Sequence, residues 1–233
     1  MVVVMVVTLV CVLIVRYNFP HHIYILPRSV CRSRDLSVVI VGFSSPKSYL
    51  RSFFGRVGAR HVTIVEPDPL KKNDMVSELG ATRSTLICGA VRPGESTASS
   101  GTLYRHTGGC SLFYPDERDR RVSTIKCRLF SLAEILQRHR RSCAGRVDVL
   151  IVNISGAEYG TMSHWLSGVR SSAIPRCVLV DTAEMNVQQI NTLKVAFECH
   201  DFAPVAPRGR FLPRLRAKTT LVSFMSDNVR VIS

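Results

Sequence analysis

The fold is decided by the stretch from Ser37 to Pro69, SVVIVGFSSPKSYLRSFFGRVGARHVTIVEPDP. Two short β-branched runs, SVVIV and HVTIV, stand at its ends, and each is followed at once by a turn or polar residue, Gly42 or Glu66. Between the runs, apolar residues recur with helical spacing at Leu50, Phe53, Phe54 and Val57. This pattern predicts two parallel strands joined by a right-handed helical crossover.

The same alternation continues to the carboxyl end of the sequence. Further β-branched runs, including STLICGAV, VDVLIVNI and RCVLVDT, alternate with amphipathic stretches such as SLAEILQRHRR and VQQINTLKVAFECH. We therefore predict an α/β domain over residues 36–233. It should hold a Rossmann-like, seven-stranded, mostly parallel sheet with helices on both faces. A β-rich insertion around residues 92–127 interrupts the alternation, because glycine and charged turns separate several short strand-like runs there.

Residues 1–26 form an N-terminal hydrophobic segment. The run MVVVMVVTLVCVLIV ends at Arg16 and would span roughly 22 Å as a helix, short of a bilayer core of ~30 Å. A basic region before the run and an obvious cleavage site, both typical of a signal peptide, are missing. We favour a short single-pass membrane anchor over a cleaved signal, which would make the protein secreted or lumenal. The run could also be a buried segment of the folded protein. The side of the membrane on which the rest of the chain lies is undecided.

The charge of the chain favours an anionic partner, but its distribution is diffuse. Lys and Arg total 31 against 17 Asp and Glu, a net charge of +14. The basic residues are scattered, with short clusters at 118–121 and 138–141 that contain no aromatic residue. We therefore expect a solvated basic surface, and nucleic acid is not a favoured partner. Apolar residues make up 46% of the chain, which argues against a disordered protein.

The eight cysteines contain no CxxC pair. No Cys/His group has the spacing of a zinc motif, so the sequence predicts no metal site. Several of these cysteines lie in apolar runs, where a free thiol behaves as a small hydrophobic side chain.

In doubly wound sheets, ligands bind beyond the carboxyl ends of the strands. Glu66 at such an end could accept both hydroxyl hydrogens of a ribose, or could be a solvated acid beside the next helix. Gly42 allows close backbone approach, but the loop GFSSPK lacks a full GxGxxG. Asn153 could hold a substrate hydroxyl or only cap the strand end. Glu158 in a first helical turn is favoured by the helix dipole, and could also contact substrate.

These strand ends, with the turns that follow them, resemble the motifs of a known family. The run from VVIVG to VEPDP, followed by LICGAV, SLAEIL and VDVLIVNISGAEYGTMSHWL, looks like the FkbM-type S-adenosylmethionine-dependent methyltransferases. The likeness extends over roughly residues 36–207. It implies a seven-stranded sheet whose last strand is antiparallel, use of S-adenosylmethionine, and O-methylation of a small-molecule or sugar hydroxyl. It also implies that Gly42 and Ser44 line the methionine loop, Glu66 binds the ribose and Ala90 borders the adenine. Asn153 and Glu158 would face the acceptor as catalytic residues.

The sequence departs from the family pattern at two motifs. In the first, an acidic position holds Ile40, and Phe43 and Pro46 replace alanine and glycine positions. In the fourth-strand corner, the usual lysine, aspartate and glutamate positions are Ile151, Asn153 and Ser155. Asn153 is a poor general base. The alternative function is therefore a catalytically inactive methyltransferase-fold protein that acts as a binding or scaffold protein.

Overall fold

The computed structural model describes residues 35–42, 58–71, 75, 83–106, 109–111, 122–143, 145–154, 156–170, 174–182, 184–205 and 221–226. The hydrophobic segment 1–26, Ser155 and residues 43–57, which include Ser44 and the predicted crossover helix, lie outside these residues.

The described chain forms eleven strands and three helices. The strands are β1 (Leu36–Val41), β2 (Ala59–Glu66), β3 (Arg83–Cys88), β4 (Ala90–Val91), β5 (Ser100–His106), β6 (Gly109–Ser111), β7 (Ser123–Phe130), β8 (Val149–Val152), β9 (Cys177–Asp181), β10 (Phe202–Val205) and β11 (Leu221–Ser226). The helices are α1 (Leu132–Cys143), α2 (Glu158–Gly168) and α3 (Val187–Glu198).

The main sheet has the strand order β10-β11-β9-β8-β1-β2-β3. Its five neighbouring strands from β9 to β3 pair in parallel. The last strand, β11, is antiparallel to both β9 and β10. The prediction of a Rossmann-like, mostly parallel α/β sheet is confirmed. The antiparallel last strand also agrees with what the family resemblance implies.

The main sheet is buried on both faces. One row of apolar side chains, including Val39, Val41 and Val65, packs in the same cluster as residues of all three described helices. On the opposite face, Ile40, Ile64 and Ile151 are also almost fully buried. Runs buried on both sides explain why these strands are continuously apolar rather than alternating.

A second, smaller sheet lies in the region predicted as a β-rich insertion. It has the order β4-β7-β5-β6. A small cluster of Ala90, Leu103 and Leu129 forms its buried core. Immediately after β7, Ser131 and Glu134 form a capping box at the start of α1. The Ser131 N–H donates to the Glu134 carboxylate at 2.6 Å, and the Glu134 N–H donates to the Ser131 hydroxyl at 3.2 Å.

None of the helices among the described residues is long and apolar enough to cross a bilayer. The predicted anchor, residues 1–26, lies outside the described part of the chain, so its membrane role stays a prediction.

Candidate functional site

The predicted site residues of β1, β2 and β8 meet at one edge of the main sheet. Val41 pairs with Val65 on one side and with Val152 on the other. Gly42 therefore lies between Glu66 and Asn153, all three at the carboxyl ends of their strands. Strands stand about 4.8 Å apart, so Glu66 and Asn153 are separated by roughly 10 Å across the sheet. This is also where strand order reverses, since β1 has β2 on one side and β8 on the other.

Gly42 is required by the backbone geometry of this edge. Its φ is +72°, a left-handed conformation that favours glycine. A Cβ added at Gly42 would lie 1.8 Å from the carbonyl oxygen of Asn153. The Gly42 N–H donates to the Val65 carbonyl at 3.1 Å, and the Asn153 N–H donates to the Val41 carbonyl at 2.8 Å. Gly42 thus allows β1 and β8 to meet closely beside β2.

Glu66 is a buried acid at the end of β2, with 4% of its surface exposed. Its Oε1 accepts the Asp68 N–H at 3.0 Å, and the Lys71 ammonium lies 4.0 Å from Oε2. This contact with Lys71 lies at the outer limit of an ion pair. A carboxylate has about four lone-pair sites, so one backbone hydrogen bond does not by itself exhaust its capacity as an acceptor.

Asp68 connects the smaller sheet to this edge. It is buried, and Arg105 of β5 donates to both of its carboxylate oxygens, from Nε at 3.0 Å and from Nη2 at 2.7 Å. The Asp68 Oδ1 also accepts the Leu70 N–H at 2.9 Å. A bidentate guanidinium–carboxylate pair has a fixed geometry. The insertion is therefore held in place beside Glu66.

Ala90 lies in β4, just beyond β3. Its side chain packs in the core of the smaller sheet with Leu103 and Leu129. The preceding Gly89 N–H donates to the Glu66 carbonyl at 3.3 Å. Ala90 is therefore close to Glu66 along the backbone, but its methyl group is part of a hydrophobic cluster.

Asn153 and Glu158 belong to the corner between β8 and α2, and both are buried. The Glu158 Oε1 accepts the Ile154 N–H, and its Oε2 accepts the Gly156 N–H, each at 2.8 Å. Ala157, the residue before α2, makes no side-chain cap. The Glu158 carboxylate consequently holds the turn in place, which is the structural role weighed against catalysis from the sequence.

Asp181 is an acid of this edge that sequence reasoning missed. Val152 pairs with Val180, so Asp181 lies beside Asn153 at the end of β9. It is buried, and its negative charge acts on Glu158. Burial raises the pKa of Glu158 and the charge of Asp181 raises it further, while the backbone hydrogen bonds at Ile154 and Gly156 oppose the rise. The signal in the sequence was the acid that ends the strand run RCVLVDT.

Four positions of the two family motifs cannot be placed. Phe43, Ser44, Pro46 and Ser155 lie outside the described residues. The expected role of Ser44 in the methionine loop therefore stays a prediction. Ile151, at the position of the family's lysine, is a fully buried core residue of β8.

No protein-family model matches the chain, and no curated protein matches it in sequence. Similar solved structures include the fibrillarin pre-rRNA processing protein of Methanococcus jannaschii. It has 10% identity and a TM-score of 0.46, over 88% of this chain and 70% of that one. A Streptococcus pneumoniae protein, described as a candidate tRNA methyltransferase and solved with S-adenosyl-L-methionine, has 13% identity. Its TM-score is 0.42, over 83% of this chain and 67% of that one.

A third similar structure is precorrin-6y C5,15-methyltransferase from Geobacter metallireducens. It has 9% identity and a TM-score of 0.38, over 85% of each chain. The first two descriptions concern RNA. At TM-scores below 0.5, however, these descriptions apply to those proteins, and the functional inference rests on the geometry of this chain.

Proposed function

We propose that the chain is an S-adenosylmethionine-dependent methyltransferase of FkbM type that methylates a hydroxyl group of a small molecule or sugar. One observation carries the proposal. Three residues lie side by side at the switch point of the sheet: the buried acid Glu66, Gly42 with its left-handed φ, and the buried amide Asn153. That position is where open α/β sheets bind nucleotide-like ligands. The antiparallel last strand is a further point of agreement with the resemblance.

The cofactor would be held on the β1–β2 side of the edge. S-adenosylmethionine supplies an electrophilic methyl group on its sulfonium sulfur. Glu66 is a suitable acceptor for ribose hydroxyls, because its carboxylate is buried at the end of β2 and can accept several hydrogen bonds. Gly42 and Ser44 would border the methionine part, and the backbone around Ala90 would border the adenine. The bond from Asp68 to Glu66 keeps the carboxylate in a fixed orientation.

The acceptor would bind on the β8–β9 side. There Asn153 can orient a hydroxyl group, and Asp181 supplies the carboxylate that Asn153 itself lacks. Glu158 contributes by holding the turn 154–156 rather than by touching the acceptor. In a displacement at a methyl group, correct orientation of the two reactants accounts for much of the rate. The missing family charges at positions 153 and 155 therefore do not rule out catalysis.

Isothermal titration of the full chain with S-adenosylmethionine and S-adenosylhomocysteine tests the cofactor. We expect both ligands to bind, and Glu66→Ala to weaken binding at least about tenfold, the equivalent of ~1.4 kcal/mol. Glu66→Gln should weaken it less, since an amide oxygen still accepts one bond without the assistance of charge. The matched control is Glu198→Ala, an exposed acid at the end of α3, which should leave affinity unchanged.

Two results would overturn the proposal. One is the absence of heat from wild-type protein at high ligand concentration. The other is a Glu66→Ala variant with normal affinity and a lowered melting temperature. That result would show that Glu66 only stabilises the fold, through its hydrogen bond with the Asp68 N–H. A third result would instead identify a non-catalytic binding protein. In that case the protein binds the cofactor but methylates no hydroxyl acceptor, and the double variant Asn153→Asp with Ser155→Glu is also inactive.

Membrane association through residues 1–26 is a separate proposal, supported by the apolar run alone. Cell fractionation of the full chain and of a chain lacking residues 1–26 tests it. The full chain should sediment with membranes and the shortened chain should not. Equal distribution of the two would contradict an anchor.

A further inference from the structure

A second polar cluster lies at the opposite end of the main sheet, beneath α1. His139, near the end of α1, is fully buried, and its ring stands edge-on to that of His61 in β2, with 5.3 Å between ring centres. Cys143 follows one turn later on α1. One ring nitrogen of each histidine and the Cys143 sulfur all lie within 4.8 Å of one another. Both Cys143 and His61 are half-buried, so the cluster is within reach of solvent.

From these positions we propose that His61, His139 and Cys143 form a zinc-binding site. Imidazole nitrogen and thiolate sulfur are the ligands that Zn²⁺ prefers. With zinc–nitrogen distances of about 2.0–2.1 Å and a zinc–sulfur distance of about 2.3 Å, the donors of a tetrahedral site stand roughly 3.4–3.8 Å apart. Each donor therefore needs to move inward by about 1 Å. The Cys143 thiol loses its proton to solvent when the metal binds.

The surroundings of His139 are those of a metal-binding histidine. Its Nδ1 lies 2.7 Å from the buried Thr63 hydroxyl, which can accept the ring N–H. That bond fixes the ring, as outer contacts do in known metal sites, and leaves Nε2 to accept the Ser37 hydroxyl.

The Ser37 hydroxyl lies next to two of the three ligands. It is 2.5 Å from the His139 Nε2 and 3.6 Å from the Cys143 sulfur. A zinc ion would have to displace this hydroxyl from Nε2, and its oxygen could then take the fourth tetrahedral position that three protein ligands leave. Ser37 is at the start of β1, five residues before Gly42 and so roughly 16 Å from it along the strand. The zinc site is therefore independent of the proposed cofactor cleft, and its role is to fasten the end of α1 to β1 and β2.

Zinc titration of the reduced, metal-stripped full chain in competition with a chromophoric chelator tests the site. We expect one equivalent of Zn²⁺ to bind with sub-micromolar affinity and to raise the melting temperature. Cys143→Ser and His61→Ala should each lower the affinity at least tenfold. The matched controls are Cys199→Ser and His164→Ala, which change an exposed cysteine and an exposed histidine elsewhere and should change nothing.

The absorption spectrum of bound Co²⁺ is a second measurement, and it would not depend on Cys143 if this residue had only a structural role. Co²⁺ bound to wild-type protein should show a thiolate-to-metal charge-transfer band, absent from Cys143→Ser and present in Cys199→Ser. The proposal is overturned if wild-type protein binds no zinc. It is equally overturned if Cys143→Ser and His61→Ala bind zinc as wild type does, which would show that the cluster is only a hydrogen-bonded network.

Discussion

Replacing Gly42 by alanine tests the role of this glycine in joining β1 to β8. The substitution introduces two costs. A left-handed φ of +72° costs a non-glycine residue roughly 1–2 kcal/mol. The new methyl group would also lie 1.8 Å from the Asn153 carbonyl oxygen and 3.0 Å from the Ile154 Cγ2. Because the oxygen belongs to the backbone, no rotamer change relieves the overlap, and the two strands must separate. We expect a total loss of at least about 4 kcal/mol in the free energy of unfolding.

Gly94→Ala is the matched control, measured by urea unfolding under the same conditions. Gly94 also has a positive φ, of +52°, but an added Cβ meets nothing within 4 Å. Its replacement should therefore cost only the conformational part, roughly 1–2 kcal/mol. A Gly42→Ala variant that fails to fold agrees with the expected loss, since small domains have only about 5–15 kcal/mol of stability. The reasoning is refuted if Gly42→Ala costs no more than Gly94→Ala.

Two further predictions concern charged groups of the same edge. Arg105→Ala should lower the free energy of unfolding by about 1–3 kcal/mol, because it leaves buried Asp68 without its bidentate partner. The expected loss is smaller than for a fully buried pair, since 33% of the Arg105 side chain is exposed. An equal loss in the exposed control Arg128→Ala would contradict this prediction. The raised pKa of Glu158 means that its contribution to stability is complete below its ordinary pKa of 4.5 and is lost as pH rises through the folded value. The stability of wild type relative to Glu158→Gln, from urea unfolding, should therefore fall as the pH rises above about 4.5, and a difference that does not change with pH would contradict this.

The fold could be predicted because its determinants are local in the sequence. The β-branched runs of β1 and β2, the glycine between them, and the Ser131–Glu134 capping box each depend on residues a few positions apart. The parallel order then follows from right-handed crossovers. The same rules place Gly42, Glu66 and Asn153 at one edge, because the carboxyl ends of parallel strands meet there.

The side-chain partners could not be predicted, since they depend on contacts between distant residues. Arg105 in the smaller sheet donates to Asp68, which lies just beyond the end of β2 in the main sheet, and no spacing rule connects the two residues. The same holds for Asp181, which reaches Asn153 only through the register of β8 and β9. Cysteine spacing predicts no metal site, and the proposed zinc site depends on His61 of a strand that packs beneath α1, a contact that spacing alone does not show. The His139–Cys143 spacing of four on one helix was the available signal.

The position of β11 has a consequence for biosynthesis. In the described sheet, β10 joins the other strands through β11, which follows every other described element along the chain but inserts between β9 and β10. Until β11 has been synthesised, β9 has β8 on one side but lacks its partner strand on the other. An unpaired strand edge invites pairing with other chains, and long-range pairing forms slowly. The nascent chain should thus depend on chaperones until translation has passed Ser226, and a premature stop before Leu221 should give an aggregating product.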